Sequence, residues 1–392
     1  MTTKNNIPAG YKDSAVGIIP QEWEVKTLCE CFYISAGRDL QKSFYSATPS
    51  GTHCYPIFSN SLENKGLYGY TSNPRHKAGC ITITGRGMLG VAEYRKIDFD
   101  AIVRLLVLSP KFEIVGELIA EYINHKKPFY LESTGVPQLT APQITNTTIP
   151  VPPMEEQRKI AEILGMWDEA IEKQSRLIEK LELRKRALMQ RLLTGRTRLP
   201  DFTTPWQKVK LGEIFKERNE TKCEHLPLLS ITAERGVILQ SESDKKDTSN
   251  DDKSKYKRIC PNDIGYNTMR MWQGRSALSA MEGIVSPAYT IVTPKAEVDP
   301  LFISELIKQP RAVYDFWTHS QGLVGDTLNC KFHDFSQVKV AIPSLPEQKA
   351  IAEVLTTADY EIATHRKKLD ALRLQKRGLM QQLLTGKTRV KI

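Results

Sequence analysis

Along residues 160–192 the inward-type positions recur in steps of four and three: Ile160, Leu164, Trp167, Ile171, Gln174, Ile178, Leu181, Lys185, Leu188 and Leu192. The same steps return at Ile351, Leu355, Ala358, Ile362, His365, Leu369, Leu372, Lys376, Leu379 and Leu383. A seam of this period, held over so long a stretch, is the pattern of a coiled coil and not of a helix lying on a sheet. The two stretches are one repeated sequence. Residues 152–198 slide by 191 positions onto 343–389 without a gap, and 22 of the 47 positions are identical. Pro152 and Pro343 stand before the first turn, where a missing N–H costs little. Gly195 and Gly386 follow the last apolar residues, where a helix needs a left-handed cap. The pattern therefore predicts two helices of roughly 40 residues, each about 60 Å long.

Between them the pattern changes to short extended runs with turns. Tyr55–Phe58, Cys80–Thr84, Ile102–Leu108 and Ile144–Val151 read as strands, and Ile114–Asn124 has helical spacing. The second half follows a similar order: Leu226–Ser230, Ile264–Met271, a helical Phe302–Ile307, and Val338–Ile342 running into Pro343. Each half opens on an aromatic anchor, Trp23 with Leu28 or Trp206 with Leu211. The order of elements is shared, but most of the residues are not. A part repeated closely does one job twice, whereas a diverged part does two different jobs. The expected organisation is a loose lead-in (1–22), a first mixed domain (23–151), a helical region (152–199), a second mixed domain (200–342) and a second helical region (343–392). The fold class is α+β, with two mixed α/β domains and a pseudo-two-fold internal repeat. Asp244–Arg258 is charge-dense and reads as a solvated loop. Ser133–Gln138 and Ser320–Gly322 read as polar turns.

The formal charge of +10 admits a nucleic-acid partner without proving one. Its distribution is uneven. Residues 23–150 carry 13 basic and 11 acidic side chains and residues 206–342 carry 19 and 18, so +8 of the +10 lies in the helical regions. Any basic face on the mixed domains must come from sidedness. The seven cysteines (29, 31, 54, 80, 223, 260 and 330) include no CxxC pair, which disfavours a disulfide framework or a zinc site and fits a reducing cytoplasm. Residues 1–6 begin no apolar signal segment, and no apolar run has the length of a membrane span.

No catalytic constellation is legible. The seven histidines are scattered, and none has metal-ligand spacing with another. Gly85–Gly90 matches GxGxxG, but Val91–Arg95 looks like a returning strand, so the match reads as a hairpin turn displaying Arg86. An arginine on such a turn can make a bidentate contact to guanine. Asn267–Arg275 packs amide, guanidinium and aromatic groups into one short stretch, with Asn267, Arg270, Gln273 and Arg275 as candidate base contacts. Asn60, Lys65, Gln138, Arg235 and Gln321 complete the candidate set by residue type and placement.

Several motifs resemble those of the DNA-specificity subunits of type I restriction–modification systems. They are Gly17–Pro20 before Trp23, the opening motif at 152–164 with its Glu156-Gln157, and the closing motifs at 188–198 and 379–389. The resemblance covers essentially the whole chain. It implies two target-recognition domains, each reading one half of a split double-stranded DNA site, with the two helices paired as an antiparallel coiled coil that sets the gap. It also implies two modification subunits that hold S-adenosylmethionine and methylate adenine, and two restriction subunits that use ATP and Mg. The chain itself is then expected to be non-catalytic, with no cofactor or metal of its own. The competing readings are a stand-alone DNA-binding regulator with a coiled-coil spacer and an enzyme with an unrecognised site.

For an antiparallel pair, the register that gathers the four polar seam residues into two layers sets Gln174 against Lys376 and Lys185 against His365. It also sets Trp167 on Leu383, Ile171 on Leu379, Ile178 on Leu372 and Leu188 on Ile362. A slip of seven residues is the rival.

Overall fold

The computed structural model describes residues 7–129, 137–232, 235–243, 251–322 and 327–392. It contains two compact units, residues 1–175 with 367–392 and residues 176–366. Each unit is a mixed domain together with one half of each long helix.

The helices run Met154–Leu192 and Leu345–Leu383, 39 residues each. All twenty seam positions of the two repeats are buried or half-buried, while most of the positions between them are exposed. Both helices stop as the glycines require. Gly195 and Gly386 have φ of +69° and +70°, a region closed to most side chains. Their N–H groups donate to Leu192 O and Leu383 O, both at 3.2 Å.

In the first unit the strands Glu24–Thr27 and Thr148–Val151 pair antiparallel, so the domain begins and ends side by side at the foot of the first long helix. The main sheet is antiparallel, in the order Phe32–Ala36, Leu106–Pro110, Ile81–Ile83, Ala92–Tyr94. The second unit repeats both features. Gln207–Lys210 pairs with Lys339–Ile342, and a second antiparallel sheet has the order Phe215–Arg218, Tyr289–Pro294, Ile264–Asn267, Ser276–Leu278. The domains diverge in their additional strands. The first adds a four-stranded sheet from Tyr45–Ser46, Tyr55–Phe58, Leu67–Thr71 and Asp100–Ala101, and the second adds two separate strand pairs.

The repeated Glu-Gln dipeptide ties each domain to the helices. Glu156 has no exposed surface. It accepts hydrogen bonds from Trp23 Nε1 at 2.9 Å and Arg389 Nε at 2.7 Å. Glu347 is equally enclosed and accepts from Arg198 Nε at 2.6 Å, Arg198 Nη2 at 2.7 Å and Trp206 Nε1 at 3.4 Å. The neighbouring glutamine bridges backbone. Gln157 donates to Pro152 O at 2.8 Å and accepts from Val115 N, at the start of helix Gly116–Lys126, at 3.0 Å. Gln348 donates to Pro343 O and accepts from Asp299 N, both at 2.9 Å, at the start of helix Pro300–Leu306.

The structure corrects several expectations. The strand read at Ile144–Val151 is extended only over Thr148–Val151, because Ile144 belongs to the short helix Ala141–Thr145. Within each unit the seam lysines meet aspartates. Lys376 Nζ lies 2.7 Å from Asp168 Oδ1, and Lys185 Nζ lies 2.6 Å from Asp359 Oδ1. Both partners stand six positions before the expected Gln174 and His365. The reason is electrostatic: a half-buried ammonium gains more from a carboxylate than from an amide or an imidazole. Lys376 also reaches Glu121 at 2.9 Å. Burial pulls the Lys376 pKa down, but hydrogen bonds to Asp168 and Glu121 outweigh it and hold the ammonium above its ordinary range.

The lead-in is packed where it is described. Tyr11–Lys12 pairs with Ile19–Pro20, Ile19 is buried, and the Tyr11 hydroxyl donates to Gly386 O at 2.9 Å. The expected strand Ile102–Leu108 begins only at Leu106, because Val103 and Arg104 have positive φ. Lys257–Ile259, at the end of the charge-dense segment, is a strand paired with Gly283–Val285, and Tyr256 is buried beside it. Residues 1–6, 133–136 of the first polar turn and 244–250 of the charged loop lie outside the described residues.

Replacing Glu156 by Ala leaves the Trp23 N–H and Arg389 Nε without their acceptor, while Arg389 Nη2 keeps its bond to Glu22. Unfolding followed by circular dichroism is expected to show a loss of about 3 kcal/mol, with a similar loss for Glu347→Ala. An unchanged melting curve would mean that the clamp contributes nothing to stability.

Candidate nucleic-acid interface

The two sequence stretches richest in base-reading groups fall at the same place in the two sheets. Ile81–Ile83 and Ala92–Tyr94 form a hairpin whose turn carries Arg86. Ile264–Asn267 and Ser276–Leu278 form its counterpart, whose turn carries Arg270, Gln273 and Arg275.

In the first hairpin the Thr84 hydroxyl donates to Met88 O at 2.5 Å and accepts from Val91 N at 2.9 Å. Gly87 and Gly90 supply positive φ. The returning strand leaves no helix start on which a pyrophosphate could rest. Arg86 is exposed at the tip. Asn60 is a strut: its Nδ2 donates to Val103 O at 2.6 Å, and its Oδ1 accepts from Gly85 N at 2.7 Å. Gly85 O accepts from Leu139 N at 2.9 Å, which brings the exposed Gln138 beside the turn. Lys65 is exposed, with its ammonium 4.0 Å from Glu93 on the returning strand. Asn60, Lys65, Arg86 and Gln138 are thus gathered around one hairpin.

In the second hairpin Asn267 Oδ1 caps the turn by accepting from Met269 N at 3.0 Å. Residues 271–273 form a single 3₁₀ turn, which Gly274 ends at φ +72°. Gln273 and Arg275 are exposed, and Arg270 is half-buried. The turn is backed by Cys330 N donating to Thr268 O at 2.9 Å. That bond brings the segment of Gln321 alongside, since Gln321 exchanges backbone bonds with Asn329. The Gln321 side chain donates to Asp334 Oδ1 at 2.9 Å, which makes it a second strut. Arg235 stands apart, on the hairpin of Leu229–Thr232 and Gly236–Leu239, where its guanidinium donates to Glu242 O at 2.9 Å. Sequence reasoning passed over the exposed Met88, Met269, Tyr314 and Trp317. Their exposure has no signature in the local pattern.

Two larger concavities differ in charge. In the first unit a cleft of about 770 Å³ is lined by Glu117, Glu121, Glu162, Asp168, Glu169 and Glu172 against Lys65, Lys96 and Arg158. Such a wall repels phosphate. In the second unit a groove of about 1070 Å³ is lined by Met189, Leu193, Trp206 and Leu306 and by Arg186, Arg196, Lys208, Arg311 and Lys339, with Asp315 the one carboxylate among its lining residues. Among the described residues no cluster of His, Cys, Asp and Glu could hold a metal ion, and no helix is long and apolar enough to cross a membrane.

The family described as the type I restriction modification DNA specificity domain matches residues 20–183 and again 291–374. The chain belongs to that family. Its specificity-subunit relatives include the putative type I restriction enzyme MjaX specificity subunit of Methanocaldococcus jannaschii, 24% identical with 97% of each chain covered. The MjaVIII specificity subunit of the same organism is 27% identical, with 73% of this chain and 74% of the relative covered. The type I system S subunit from M. genitalium shares the fold, with a TM-score of 0.60 at 15% identity over 100% of this chain and 99% of that one. A second type I structure, from work on complex assembly and conformational transition, has a TM-score of 0.57 at 17% identity, covering 94% and 99%. As a specificity subunit, the chain is the part of a type I restriction–modification system that recognises DNA sequence. The stand-alone regulator finds no support among these relatives.

Each hairpin is expected to govern one half of the recognised site. Arg86→Ala should relax base preference at a position in one half, and Gln273→Ala with Arg275→Ala should do so only in the other. Each lost base contact should weaken binding of the preferred sequence by about 1–3 kcal/mol. Competition binding against single-base variants of the site measures both effects.

Proposed function

We propose that this specificity subunit binds a split, asymmetric DNA site, with residues 23–151 reading one half and residues 200–342 the other. The observation that carries the reading is the pair of hairpins: one sheet topology built twice, bearing different side chains at the two turns. Equal frames with unequal tips suit two unlike half-sites. The two 39-residue helices are the ruler in this reading, paired antiparallel as a coiled coil that fixes the gap. The lysine–aspartate contacts within each unit support that pairing.

The chain is non-catalytic in this proposal and works in the cytoplasm. It docks two modification subunits, which bring S-adenosylmethionine and methylate adenine, and in the full complex two restriction subunits, which bring ATP and Mg. The basic groove beside the end of the first long helix, lined in part by apolar side chains, is a suitable landing site for an acidic partner surface.

Single-molecule methylome sequencing of the host with and without the gene tests the proposal. Loss of N6-methyladenine from one split motif with unlike halves is the expected result. An unchanged methylome, in a strain where the chain co-purifies with an active methyltransferase, would overturn it.

A further inference from the structure

Among the described residues of the second domain (200–342), only three large apolar side chains are strongly exposed: Met269 at 47%, Tyr314 at 60% and Trp317 at 48%. They lie together. Met269 is on the turn of the second hairpin. Tyr314 and Trp317 are on helix Pro310–His319, which packs against that turn. The helix turns Ala312 and Phe316 into the core, and Val313 touches the turn so closely that a Cβ on Gly274 would stand 3.0 Å from its Cγ2. Tyr314 and Trp317, three residues apart, are left on the outer face with ring centroids 5.7 Å apart at 42°.

Exposed aromatic rings beside a hairpin of Arg and Gln call for an occupant with both flat apolar faces and negative charge. Arg275 on the turn is exposed and makes no ion pair among the described residues. A nucleic-acid base step offers both features, since the bases stack on aromatic rings and the phosphates meet the guanidinium groups. We infer that Tyr314 and Trp317, with Met269, form a wedge that stacks on or enters a base step of the half-site read by the second domain. This rests on the function proposed above and adds a specificity mechanism to it. A step that unstacks readily, such as pyrimidine–purine, is favoured at that position without any hydrogen-bonded readout. The turn of the first hairpin carries an exposed Met88 but no aromatic residue.

The test uses the complex of this chain with its methyltransferase partner and duplexes carrying the motif found by methylome sequencing. A fluorescent base analogue, 2-aminopurine for adenine or pyrrolocytosine for cytosine, is placed in turn at each position except the methylated adenine. Binding is expected to raise the emission several-fold at one step of one half-site. Tyr314→Ala with Trp317→Ala should abolish that rise and weaken binding on the order of 10–100-fold, while Trp317→Phe keeps most of both. Both residues are exposed, so the variants should melt as the parent does, and Trp317→Phe guards against loss of fold. No rise at any position, or a rise and affinity unchanged in the double variant, would overturn the wedge. So would loss of methyltransferase co-purification with DNA affinity retained, which would make the ledge a protein interface. If the parent complex methylates no split motif, it is the proposed function that fails, and that result is read separately.

Discussion

A carboxylate with no exposed surface must be met by donors on the protein, because the cost of taking it from water is several kcal/mol. Glu156 and Glu347 are two such groups, and the rest of the architecture follows from how they are met. Each is held by the tryptophan that opens its own domain and by an arginine from the closing motif of the other repeat: Trp23 and Arg389 for Glu156, Trp206 and Arg198 for Glu347. Neither copy of the helical repeat completes its own clamp. The glutamine beside each glutamate then fixes the first turn of a domain helix through the backbone of Val115 or Asp299. Four side-chain types, each present twice, therefore connect the domain start, the foot of one helix and the end of the other.

The lysine–aspartate contacts extend the same logic along the helices. Lys185 with Asp359 and Lys376 with Asp168 are equivalent pairs under the 191-residue repeat. The units then differ at a third carboxylate. Lys376 also binds Glu121 on helix Gly116–Lys126, whose carboxyl burial pushes up and whose bond to Lys376 pulls back down. In the second unit Glu305 pairs instead with its neighbour Lys308. Two units built on the same plan thus carry unlike hairpins.

The repeat, the two helices, their glycine stops and the inward-facing seam were determined by the sequence alone. Each depends on local physics: helical periodicity, the missing N–H of proline, the freedom of glycine at positive φ. The hairpin reading of Gly85–Gly90 was legible for the same reason, since the β-type pattern resumes at Val91. Tertiary structure decided what distance along the chain conceals. A slip of one heptad leaves every seam residue facing inward, so periodicity cannot choose the register, and the partner of each seam lysine comes only from the fold. The signal was present in Asp168 and Asp359, an acidic position shared by both repeats, but it acquires meaning only once partners are apposed. Asn60 and Gln321 look like base readers by type, yet their amides brace turns. Tyr314 and Trp317 look like core by type, yet stand in solvent. Residue type fixes what a side chain can bind; the fold fixes which partner comes within reach.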